Sequence, residues 1–283
     1  MRKIILAMAA LAAFAACSPK AEEAKVHARY VPERMDDFVW ENDLVCYRVY
    51  GKALEGNPTA PGFDIWAKTP GVLVAEERYE GYKTQSDRYY HIDHGTGKDC
   101  YKVAVSLGGG GSAPFVDGQL VMPATNYRSW EIVDSTATAI SFILHYPEWE
   151  VDGTMVSLDK KITVEAGKYF CTAEDFYKGD FDTLTVAAGI FTHEVEDSFI
   201  GDDRFAIWEH ASDTSNEPED GMIGVGIIMT DAEQILPIES GKPHLVALKT
   251  IKPGESVVYQ FGSCWSKGDI KTAEDWYKTL RQY

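Results

Sequence analysis

Positive charge is scarce in this chain. Its 283 residues hold 27 Lys and Arg against 44 Asp and Glu, a net charge of −17. Nucleic-acid binding draws its affinity from clustered cations that displace counterions, so DNA and RNA are not expected as partners. Long apolar runs are missing as well. The stretch Ile4 to Phe14 has eleven residues, too few to cross a hydrocarbon core of about 30 Å as a helix. The five cysteines lack Cys-x-x-Cys or Cys/His ligand spacing, which argues against a structural zinc site. There is no Gly-x-Ser-x-Gly elbow and no catalytic-cysteine signature. The glycine run Gly108 to Gly111 lacks the Lys-Ser/Thr and the helix start of a phosphate cradle, which removes nucleotide binding and leaves close backbone approach beside a cleft as its expected use.

What is present begins with an address label. Arg2 and Lys3 precede the short apolar run, and Phe14-Ala15-Ala16-Cys17 follows, the pattern of a bacterial lipoprotein signal peptide cut before a lipidated cysteine. Residues 1–16 are read as the signal peptide and residues 17–26 as a polar tether. Residues 27–283 are read as one domain, expected to be held by its lipid at Cys17 in the periplasm or at the outer membrane. Export permits disulfides, but Cys46, Cys100, Cys171 and Cys264 each sit in apolar or aromatic surroundings, where a buried thiol is the simpler reading.

From Asp43 onward, short β-branched and aromatic runs alternate with Gly, Pro, Asn and Asp. Leu44–Tyr50, Phe63–Lys68, Tyr101–Leu107, Ala139–Tyr146, Lys161–Val164, Leu184–Gly189, Phe205–Trp208, Ile223–Met229, His244–Ile251 and Ser256–Phe261 have the composition and length of strands. The expected fold is all-β, a large antiparallel β-sandwich with few short helices. One helix is expected over Val72–Tyr79, and another at the carboxyl end. There Thr272 caps, Asp275 takes the third position, and Trp276, Leu280 and Tyr283 recur at helical spacing. The acidic stretch Glu194 to Asp220 fails the calcium-loop pattern and reads as a solvated loop.

Two polar constellations stand out. Arg29 to Arg48 mixes Arg34, Asp36, Asp37, Glu41 and Asp43 with Trp40. It reads either as ion pairs zipping two strands or as an arginine and an indole lining a sugar cleft. Tyr89 to Lys102 holds His91, Asp93, His94, Asp99 and three tyrosines, broken by Gly95 and Gly97. Imidazoles at that density suit proton transfer near neutral pH. A hydrogen-bonded turn is the plainer reading. No cofactor is expected; a divalent metal on His91, Asp93, His94 or Asp99 would need a loop geometry, since His91 and His94 on a strand face opposite ways.

These same residues carry a family resemblance. Val31 to Gly51 (VPERMDDFVWENDLVCYRVYG), Phe63 to Lys68 (FDIWAK), Tyr90 to Val103 (YHIDHGTGKDCYKV), LGGGGSAPF and the Trp-bearing final helix resemble the domain-of-unknown-function family number four thousand eight hundred and sixty-one, over nearly all of the mature chain. The resemblance implies a galactose-mutarotase-like supersandwich and a secreted protein or lipoprotein of polysaccharide degradation. Equivalents of Arg34, Trp40, Glu41, Asn42, Arg48, Trp66, Lys68, His91, His94, Asp99 and Tyr101 are present. The family usually has Gly-Glu-Gly where this chain has Gly95-Thr96-Gly97, and Val-Gly where it has Val103-Ala104.

The implied partner is a uronic-acid-containing oligosaccharide. β-Elimination, of lyase or dehydratase type, needs a base beside the carboxylate, a cation to neutralise it and an acid for the leaving group. His94 or His91 is expected as the base and Tyr101 as the acid. Arg34, Arg48 or Lys68 would meet the carboxylate, Trp40 and Trp66 would stack on sugar faces, and Asp99 would complete the binding set. The alternatives are a mutarotase or epimerase, and a glycan-binding lipoprotein without catalysis, which Thr96 in place of the family's Glu favours.

Overall fold

The computed structural model describes residues 23–56, 62–211, 220–239 and 241–283. The signal peptide, Cys17 and most of the tether therefore lie outside the described residues. No helix among the described residues is long and apolar enough to cross a membrane.

Eighteen strands and two α-helices make up the described chain. The first sheet is a meander of β1 (Val26–Val31), β2 (Asp37–Asn42), β3 (Cys46–Val49), β4 (Asp64–Lys68) and β5 (Gly97–Asp99). Helix α1 (Ala75–Thr84) and a short 3-10 turn at Tyr89–His91 lie between β4 and β5. Then follow β6 (Gly109–Val116), β7 (Gln119–Leu120), β8 (Ser129–Ser135), β9 (Ala139–Val151), β10 (Thr154–Glu165), β11 (Phe170–Gly179), β12 (Leu184–Phe191), β13 (Val195–Ile200) and β14 (Arg204–His210). The chain ends with β15 (Met222–Ile228), β16 (Gln234–Ile238), β17 (His244–Ile251), β18 (Val257–Trp265) and helix α2 (Ala273–Leu280). The long sheet has the order β13-β14-β15-β18-β11-β10-β9-β8, and the third sheet the order β16-β17-β12-β6-β7. All named strand pairs are antiparallel; a single parallel bridge, Phe63 to Gly108, stitches the first sheet to the third. The two five-stranded sheets face the eight-stranded one, giving an all-β sandwich.

Strand alternation divides the side chains of the first sheet. Phe38, Trp40, Tyr47, Val49, Ile65 and Ala67 enter the main core with Phe142 and Phe261. Val39, Cys46 and Trp66 point the other way and meet Val74, Ala75, Tyr79 and Tyr90. This sheet is thus buried on both faces, because α1 and the 3-10 turn cover its outer side. Period two then forces the remaining residues of that outer face into the same layer: Asp37, Glu41, Arg48, Asp64, Lys68 and Asp99 are all buried there. Glu41 explains where α1 begins. Its carboxylate accepts the backbone N–H groups of Val74 and Ala75 at 2.8 Å each and the Lys68 ammonium at 3.2 Å. Val74 has no capping side chain of its own, so a carboxylate from β2 satisfies the helix's orphan donors. The helix accordingly runs over Ala75–Thr84, three residues later than the sequence pattern placed its start.

The carboxyl-terminal helix follows its pattern closely. Thr272 accepts the Asp275 N–H at 3.2 Å, and Trp276 and Leu280 are fully buried. The Trp276 indole stacks on Phe170 with centroids 5.3 Å apart. Cys46, Cys100, Cys171 and Cys264 are free, buried thiols.

Two expectations are corrected. Tyr101–Leu107 forms no strand: Ala104 turns through φ 51°, and the Ser106 hydroxyl donates to the Val103 carbonyl. Its apolar side chains reach the core from a loop, not from a sheet. Glu194 to Asp220 is not one solvated loop either, since β13 and β14 occupy much of it and Glu209 is fully buried; residues 212–219 lie outside the described set.

Candidate functional site

A groove of about 410 Å³ opens where the first sheet meets the loop after β5. Arg34, Arg48, Tyr50, His91, Asp99, Tyr101, Lys102, Val103, Ala104 and Lys242 line it. Four of these ten are Arg or Lys side chains, in a protein of net charge −17.

Arg48 forms the floor. It lies opposite Asp64 in the β3–β4 register. Its Nε donates to Asp64 at 2.6 Å, its Nη2 to Asp99 at 2.8 Å and its Nη1 to Asp37 at 3.4 Å. Each guanidinium nitrogen thus has a carboxylate, while the plane rests about equally over Trp66 and Tyr90, 4.9 Å from each centroid. With its side chain only 3% exposed, Arg48 is committed to the protein. Arg34 sits higher. Its Nη1 donates to Asp37 at 3.0 Å and its Nε to the Tyr90 hydroxyl at 3.2 Å, and its Nη2 has no hydrogen bond among the described residues.

Lys102 and Lys242 also line the groove, close enough for their charges to interact. Burial, and then the neighbouring Lys102 charge, hold the Lys242 ammonium below the usual lysine range. Lys242 forms no ion pair among the described residues. Two like charges brought together at an opening favour an anion between them.

His91 closes the third side, 19% exposed at its side chain. Its Nδ1 lies 3.3 Å from the Asp99 carbonyl oxygen and 3.7 Å from the Asp99 carboxylate. A carbonyl only accepts, so this contact puts a proton on Nδ1, and a neutral ring in that tautomer presents its lone pair at Nε2. That is the tautomer of a base whose second nitrogen is held by the protein.

Of the residues singled out from the sequence, Arg34, Arg48, His91, Asp99 and Tyr101 come together here. The others do not. His94 is exposed and stacks on Tyr89, centroids 4.0 Å apart, away from the groove lining. Trp40 is sealed in the main core between Tyr47, Phe63, Phe142 and Phe261. Trp66 lies beneath Arg48 and offers no open face. Lys68 is buried against Glu41 and the Asn42 carbonyl. Alternation on β2 sends Trp40 into the main core, whereas Trp66 and Lys68 share the outer face with Arg48 and are covered by α1 and the 3-10 turn. Tyr101 borders the groove, but its hydroxyl donates to the Phe191 carbonyl at 3.1 Å and burial pushes its pKa well up. Tyr50 likewise donates to Asp64 at 3.1 Å. Thr96 is not part of the lining; its carbonyl receives the Thr69 N–H at 3.0 Å. Among the described residues, no group of three or more His, Cys, Asp or Glu is placed to hold a metal ion.

Sequence reasoning missed Lys102, Lys242 and two supporting histidines. His193 bridges the buried Glu209, 2.8 Å from Nδ1, and the Lys102 carbonyl, 2.8 Å from Nε2. His244 sets the other rim: Nδ1 donates to the Lys242 carbonyl at 2.8 Å and Nε2 accepts the Leu107 N–H at 3.2 Å. Both hold backbone beside a groove lysine. Each is a lone histidine in its own stretch, so only the pairing of β12 with β17, which sets Phe191 opposite His244, brings them together.

Fold and groove define an antiparallel β-sandwich protein with a cationic cleft at the end of a buried ion network. Residues 15–283 match the family described as Domain of unknown function (DUF4861), and the chain belongs to that family. An uncharacterized protein P7 of Formosa agariphila is 30% identical over 278 residues, 91% of this chain and 66% of that protein; the chain thus spans just under two thirds of that relative's length. Solved structures show weaker likeness. The α-galactosidase AgaB of Geobacillus stearothermophilus is 11% identical with a TM-score of 0.40, over 85% of this chain and 41% of that one. A galactose mutarotase related enzyme of Lactobacillus acidophilus is 8% identical with a TM-score of 0.34, over 81% of this chain and 97% of its own.

Proposed function

We propose that this chain is a carbohydrate-active protein whose groove takes a uronic-acid-containing oligosaccharide and eliminates across C4 and C5. One observation carries the reading: Arg34, Lys102 and Lys242 border a groove beside a histidine whose Nδ1 meets the Asp99 carbonyl. A uronate carboxylate held by these cations would have its negative charge offset as the neighbouring C5–H bond breaks. His91 Nε2 takes that proton, the electron pair forms the C4–C5 double bond, and the C4–O bond breaks. The leaving oxygen needs a proton. Tyr101 and Tyr50 have already committed theirs to Phe191 and Asp64, so the donor passes to Lys242, whose lowered pKa makes its ammonium the readier acid.

The test is incubation with a panel of uronate oligosaccharides, read by the ultraviolet absorbance of the unsaturated product. Turnover lost in His91→Ala and kept in His94→Ala supports the assignment; silence across the panel rejects elimination. The two committed tyrosine hydroxyls favour a second reading, glycan binding without turnover. Calorimetric affinity that survives His91→Ala, with no unsaturated product, selects it. A lipid anchor at Cys17 would place either activity at a membrane surface, and globomycin-sensitive processing with loss of anchoring in Cys17→Ala would test that placement.

A further inference from the structure

The cationic groove does not end at Lys242. On the far side of that residue a second cavity of about 290 Å³ begins, with Lys242 itself in its wall. Its character changes abruptly: Val105, Leu120, Met122 and Ile238 supply the surface, with Gln119 and His244 at the edges. Its floor continues into a small hydrophobic cluster of the third sheet, where Ile238 packs with Leu107, Val246 and Leu248, and where Leu120 and Met122 lie on top. Val105 remains 42% exposed at the rim.

We propose that this cavity is a second subsite, selecting a neighbouring sugar that carries a methyl group, as a deoxy-sugar C-methyl, an O-acetyl or an O-methyl. The inference rests on the anionic-sugar reading of the groove beside it. Two features support it. The cavity and the groove share the Lys242 side chain in their walls, so a ligand whose carboxylate meets Lys242 brings its neighbouring sugar beside the cavity. No Phe, Tyr or Trp lines it, so it offers no broad stacking platform for a flat sugar face; a concave aliphatic wall instead rewards a compact apolar group. Burying one methyl is worth about fourfold in affinity.

The full chain is titrated calorimetrically with matched disaccharides: a uronate linked to a hexose, to its 6-deoxy counterpart, to its O-acetylated form and to its O-methylated form. At least one methyl-bearing member is expected to bind about fourfold or more tightly than the parent hexose, and the three arms tell which methyl is read. Val105→Gln and Met122→Gln, both at partly exposed positions, are expected to erase that advantage while leaving the parent disaccharide's affinity unchanged. Thermal unfolding of both variants checks that they fold. Equal affinity for all four disaccharides overturns the subsite while sparing the anionic groove, as does an advantage that persists in both variants. Binding of none overturns the groove reading and the subsite with it.

Discussion

Replacing Arg48 by Met is the sharpest test of how the groove floor is held. The side chain is buried, and its three nitrogens answer Asp64, Asp99 and Asp37. Methionine preserves most of the packing over Trp66 and Tyr90 but takes the shared cation away from three clustered carboxylates, of which Asp37 keeps Arg34. Removing one partner of a buried ion pair costs about 3–5 kcal/mol, because the orphaned charge stays desolvated. Three acids share this cation, so the upper part of that range is expected. At roughly 2–4 °C per kcal/mol, the melting temperature falls by about 8–20 °C. The pH dependence carries the argument further. Without Arg48, burial and mutual repulsion raise the folded-state pKa values of these acids above their unfolded values. The resulting penalty is fully present above those raised values and is relieved as pH falls through them. Urea unfolding of the wild type and of Arg48→Met at neutral pH and near pH 5 should therefore show the deficit shrinking in acid. Asp64→Asn in the Arg48→Met background should recover part of it at neutral pH. A deficit equal at both pH values, or below about 1 kcal/mol, would refute the claim that Arg48 serves the buried network.

Three further outcomes are expected. Ala104→Gly should stabilise the protein: a left-handed alanine costs about 1–2 kcal/mol, glycine's extra unfolded freedom returns about 0.4–1, and melting should rise by about 1–4 °C with the groove unchanged. Anion affinity should be greatest below the lowered pKa of Lys242 and decline as pH rises through it. Calorimetry from neutral pH to about pH 10 should show that this step disappears in Lys242→Met. In the elimination assay His91→Ala should lose about 10²-fold or more, whereas His94→Ala should stay near wild type in both rate and melting temperature, since its ring is exposed on Tyr89.

The sandwich was legible because its signals are local. The run His244–Ile251 is a strand over its whole length, and the Thr272 cap with Trp276 and Leu280 marks the last helix. Tyr101–Leu107 misled because aromatic and β-branched composition reports burial, and a loop that dips into the core is buried too. The positive φ of Ala104 is the signal that composition could not show, and it gives a backbone reason for the glycine that the resembling family usually carries there.

The groove was legible only in part, and the division follows from how each residue reaches it. Arg34, Arg48, His91, Asp99 and Tyr101 lie in two dense polar stretches, and β4, which pairs with β3 on one side and β5 on the other, joins them. Trp40 lay in the first of these stretches but on the wrong phase. On β2, Asp37, Val39 and Glu41 share one face while Phe38 and Trp40 share the other, so once Asp37 is assigned to the ion network, period two sends Trp40 into the main core. That step needed no coordinates, only the recognition that one strand cannot present Asp37 and Trp40 to the same cleft. Lys242 is a different case. It depends on His244, which holds the Lys242 carbonyl through Nδ1 and accepts the distant Leu107 N–H at Nε2, a long-range placement with no trace in the local pattern. The catalytic reading consequently rests on residues of both kinds: a base that the sequence announces and a cation that only the closed sandwich delivers.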